Sequence, residues 1–91
     1  MRESERNGKS VDAEILGLQA LAWVMADASR AQRLLDMTGL TPDALRSGLG
    51  DPAILGAVLA FLAAHEPDLI ACAAALEHRP EALVAALEAL A

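Results

Sequence analysis

Apolar residues recur at three- and four-residue spacing along most of the chain, and four Xaa-Pro pairs cut the pattern into short segments. That periodicity predicts amphipathic helices. The first segment runs from Val11 or Asp12 to about Ala26, with Ser10 or Asp12 as its cap. Ile15, Leu18, Leu21, Ala22 and Met25 form its expected buried stripe, widened by Leu16, Trp23 and Val24. The second helix starts at Asp27 or Ser29 and ends near Met37. Leu34 and Leu35 are expected to point inward, and Arg30, Arg33 and Asp36 outward. Gly39 has the place of the left-handed residue after a helix end.

Each Xaa-Pro pair then opens a helix, because Pro at the first helical position gives up an N–H that has no partner there anyway. Thr41-Pro42 opens a helix of about two turns to residue 48. Asp51-Pro52 opens one to residue 65. Its residues Ile54, Leu55, Val58, Leu59, Phe61 and Leu62 leave almost no polar face, which places it at the centre of the fold. Pro67 with Asp68 starts a fifth helix, to about Leu76. Pro80 starts a sixth, with Leu83, Leu87 and Leu90 in one stripe.

A shift of 38 residues lays ALAWVMADAS (20–29) over VLAFLAAHEP (58–67) and TPDALRSGL (41–49) over RPEALVAAL (79–87). This suggests a long-short-short helix unit used twice. Gly17 and Gly56 both follow Ile-Leu inside helices, where a glycine costs about 1 kcal/mol relative to Ala. Close helix crossing at Gly56 would explain that cost.

Composition narrows the class. With 55% hydrophobic residues, mostly Ala and Leu, and few β-branched ones, the 91 residues make an all-α fold. The expected architecture is a compact bundle of about six short helices in two pseudo-repeated three-helix units. Its domain is residues 11–91, preceded by a disordered polar tail over 1–10. The lone Cys72 lies in the apolar LIACAAAL and reads as a buried, reduced thiol, which fits a cytoplasmic protein. The longest apolar run, residues 53–64, is shorter than the roughly 18–20 residues a membrane span needs. No apolar leader precedes it.

Charge separates along the chain. Residues 1–10 hold three cations against two carboxylates. The remainder holds Arg30, Arg33, Arg46 and Arg79 against eleven carboxylates, a net of −7. That balance speaks against nucleic acid and anionic membranes as partners, since both draw on neutralised phosphate.

The stretch LLDMTGLTPDAL (34–45) has the local grammar of a helix-turn-helix. The would-be recognition helix is only two turns long and offers one cation, Arg46, beside Asp43. A reader of the major groove needs more donors at that end. Only Arg30 and Arg33 on the second helix could reach a phosphate. Arg30, Arg33 and Arg46 are therefore the candidate interaction surface. His65, Cys72 and His78 are spaced H-x6-C-x5-H, which fits no common zinc site. Nothing matches a catalytic or phosphate-binding motif. Glu66, Asp68, Glu77 and Glu81 crowd the starts of the last two helices, where they suit the helix dipole. No catalytic, cofactor or metal-ligating residue is expected.

The segments LQALAWVMAD (18–27) and LLDMTGLTPDALRSGLGDPAILGAVLAFLAAHEPDL (34–69) resemble the domain of unknown function family 3572 over about residues 11–90. The resemblance implies a small cytoplasmic helical protein of alphaproteobacterial type and brings no activity, cofactor or site residue with it. The expected function is a non-enzymatic protein–protein interaction module, docking on an unidentified protein or on a second copy. The alternative is an atypical acidic helix-turn-helix regulator. A small-ligand pocket near Trp23 and Phe61 is a third reading.

Overall fold

A computed structural model describes residues 2–91, with side chains from Asp12 onward. It holds six helices: α1 (Arg2–Met25), α2 (Ala28–Thr38), α3 (Pro42–Ser47), α4 (Pro52–Ala63), α5 (Glu66–Ala75) and α6 (Pro80–Leu90). Among the described residues there is no strand. The all-α bundle expected from the sequence is the observed fold.

The turns obey local chemistry. The Asp27 carboxylate accepts from the backbone N–H groups of Ser29 (2.8 Å) and Arg30 (3.1 Å) and so caps α2. The Arg30 N–H chiefly, together with that of Ser29 and the nearby guanidinium of Arg30, holds this carboxyl below its ordinary pKa. Thr41 caps α3 by accepting from Ala44 N–H at 3.0 Å, and Asp51 caps α4 by accepting from Ala53 N–H at 2.9 Å. Proline occupies the first turn of each of the last four helices.

The helix α1 begins at Arg2, ahead of the expected start at Val11 or Asp12. Asp12 therefore lies within the helix and does not cap it. Nothing in RESERNGKS compels a stop: it has no proline, and Glu3 and Glu5 suit a first turn. The tail expected over residues 1–10 falls on side chains outside the described ones.

Helix α4 sits at the centre, against α1, α2, α5 and α6. It buries Leu55, Val58, Leu59, Phe61 and Leu62. The helices α6 and α1 form the broadest contact, with Leu83 and Ala86 buried on α6. Helix α5 turns away from α4 at 114° and packs on α6. No single helix is long and apolar enough to cross a membrane among the described residues.

The expected stripe on α1 needs correction. Its buried face is Ala13, Leu16, Gly17, Ala20, Leu21 and Val24. Ile15 is 50% exposed, Met25 40% and Leu18 38%, and Ala22 is also exposed. The cause is close packing: a Cβ built on Gly17 would lie 3.1 Å from Leu55 Cβ. Ala13, Gly17 and Ala20 let α1 approach its neighbours where bulkier residues would hold them apart. Gly56 makes no such crossing, since a Cβ there would meet only Leu90 Cβ, at 4.0 Å.

Some pairs 38 residues apart share burial, while others, such as Leu16 and Ile54 or Trp23 and Phe61, do not. Ala20 and Val58, Leu21 and Leu59, Val24 and Leu62, Leu34 and Cys72, and Leu45 and Leu83 are all buried. The correspondence extends to the backbone: Gly39 (φ 74°) and Glu77 (φ 60°) are the left-handed residues after α2 and α5. It does not extend to packing partners. Helix α6 lies against α1, α4 and α5, whereas the six-residue α3 sits at the periphery with Leu45 as its buried anchor.

Candidate functional site

At 100° per residue, Ile15, Leu18, Ala22 and Met25 share one side of α1, roughly opposite its buried face. Helix α1 is thus apolar on two sides, one in the core and one in solvent. A shallow hollow flanks each end of the stripe, the two on opposite sides of α1. Near Ile15 it is walled by Asp12, Leu16, Gln19, His78 and Ala82 and measures about 360 Å³. Near Met25 it is walled by Leu21, Pro42, Leu45, Arg46 and Leu49 and measures about 250 Å³. Leu49, 44% exposed, extends the apolar surface past the end of α1.

A second concavity, about 520 Å³ and open, runs between α2 and α4. Met37, Phe61 and the alanines 57, 60 and 64 line it, with Arg33 and His65 on its polar rim. Asp68 joins those two: its Oδ2 is 2.9 Å from Arg33 Nη2 and 3.1 Å from His65 Nδ1. With the Asp68 side chain only 13% exposed, these contacts tie α5 to α2. His65 and Phe61 thus line one groove. Trp23 lies elsewhere, under Arg30.

The three candidate arginines have different roles. The Arg30 guanidinium stacks 3.7 Å over the Trp23 ring and donates from Nη2 to the Trp23 carbonyl at 2.6 Å. Its side chain is 22% exposed, so it points inward and not outward as expected. Arg33 is held by Asp68. Arg46 is the open one, facing Asp43 at 3.8 Å in a fully hydrated pair worth little. Arg33 borders the α2–α4 groove and Arg46 the hollow beside Met25, so the structure does not bring the three to a single groove. Each of the four described arginines has a carboxylate within 4.0 Å.

Cys72 is fully buried. Burial pushes its thiol up to about 11, with Arg30 opposing and Asp68 reinforcing the shift. Such a thiol is a core hydrophobe and a poor nucleophile. Among the described residues, no three His, Cys, Asp or Glu side chains converge as a metal site would require.

Spacing alone places Ile15, Leu18 and Met25 in the core. The signal that could have found them outside is the run of small residues Ala13, Gly17 and Ala20 on the other face of the same helix.

No curated protein and no solved structure matches the chain. Residues 10–91 match the sequence profile of a family described as "Protein of unknown function (DUF3572)". With the polar N-terminal residues alone left outside that match, the chain belongs to the DUF3572 family.

Proposed function

We propose that the protein is a non-enzymatic protein–protein interaction module working in the reducing cytoplasm. The observation that carries this reading is the outward stripe Ile15–Leu18–Ala22–Met25, continued by Leu49. A small domain gains stability by burying side chains of this size, and contiguous apolar surface left in water marks interaction sites. Several of the reactive side chains are employed in holding the fold. Cys72 fills the core, Asp68 ties Arg33 and His65 together, and Arg30 covers Trp23.

The test is a pair of baits expressed in the native cell: the wild-type chain and Leu18→Asp. A protein that co-purifies with the first and not with the second, at equal bait levels, is the expected outcome. Identical sets of co-purifying proteins would sink the reading. Sedimentation of both chains at micromolar concentration covers the case in which the partner is a second copy.

A further inference from the structure

We draw no further inference here: the strongest candidate, the open apolar groove between α2 and α4 with Arg33 and His65 on its rim, already has Asp68 against both of those groups, and nothing in the structure shows what covers it.

Discussion

The Arg30 guanidinium lies 3.7 Å over the Trp23 ring, and its Nη2 donates to the Trp23 main-chain carbonyl at 2.6 Å. Stack and hydrogen bond together close the corner between α1 and α2. Lysine can supply the charge but neither the flat guanidinium nor its fixed donor fork. Arg30→Lys is therefore expected to lower stability by about 1–2 kcal/mol. Urea denaturation followed by Trp23 emission measures both the loss and the altered environment of the ring. An Arg30→Lys chain with wild-type stability and spectrum would show that the stack contributes nothing.

The two mid-helix glycines separate under mutation. A side chain at Gly17 collides with Leu55, whose Cβ would lie 3.1 Å from the new Cβ. Gly17→Leu is expected to destabilise by about 1–3 kcal/mol through overpacking. Gly56 has ordinary room, with Leu90 Cβ at 4.0 Å. Gly56→Ala should raise stability by about 0.5–1 kcal/mol, because alanine removes the glycine entropy cost in a helix. Thermal melts of the two variants beside wild type decide it. Shifts in the same direction would contradict the packing described here.

These glycines also show where the sequence was legible. The starts of α3, α4 and α6 could be read because Pro42, Pro52 and Pro80 act locally, and so do their neighbours Thr41 and Asp51. Burial of Leu34 and Leu83 followed from spacing, and that of Cys72 from its apolar setting. The face of α1 did not. Helix α1 carries two apolar stripes that both satisfy 3–4 spacing, and the bulkier one looked like the core. The choice between them is made by Leu55 on another helix, which settles where Gly17 stands. The partners of the candidate arginines were hidden for a similar reason. Charge along the chain marks Arg33 as a cation, but Asp68 reaches it from α5 only once the bundle forms.

Glu77 holds a left-handed backbone (φ 60°) where its counterpart 38 positions earlier, Gly39, holds φ 74°. Both follow a helix end, and His78 N–H donates to Ala73 carbonyl at 2.8 Å to close the second one. A left-handed non-glycine residue costs about 1–2 kcal/mol, part of which glycine gives back through its freedom in the unfolded chain. Glu77→Gly is thus expected to stabilise by about 0.5–1 kcal/mol. The reciprocal Gly39→Ala should destabilise by about 1 kcal/mol, from backbone strain alone. A Cβ at Gly39 meets nothing within 4 Å, so sterics with neighbours play no part. A fall in melting temperature for Glu77→Gly would mean that the Glu77 side chain has a role the backbone does not account for.

Cys72 gives the fold an alkaline limit. Burial raises its thiol from an ordinary 9.0 to about 11. The native state therefore keeps the proton in a range where the unfolded chain releases it, so the unfolded state binds fewer protons and stability falls as pH rises. The contribution is fully present below pH 9 and is lost progressively towards pH 11. Two pH units correspond to about 2–3 kcal/mol. The chain has no tyrosine and a single lysine, Lys9, so few other groups titrate in that range. Urea midpoints measured across this interval should decline for the wild type and stay nearly level for Cys72→Ala, at a lower baseline set by the lost sulfur. The same burial predicts that a thiol reagent labels Cys72 only as fast as the protein opens. Parallel declines in the two chains, or immediate labelling of the native protein, would show that the thiol is not sealed in the core.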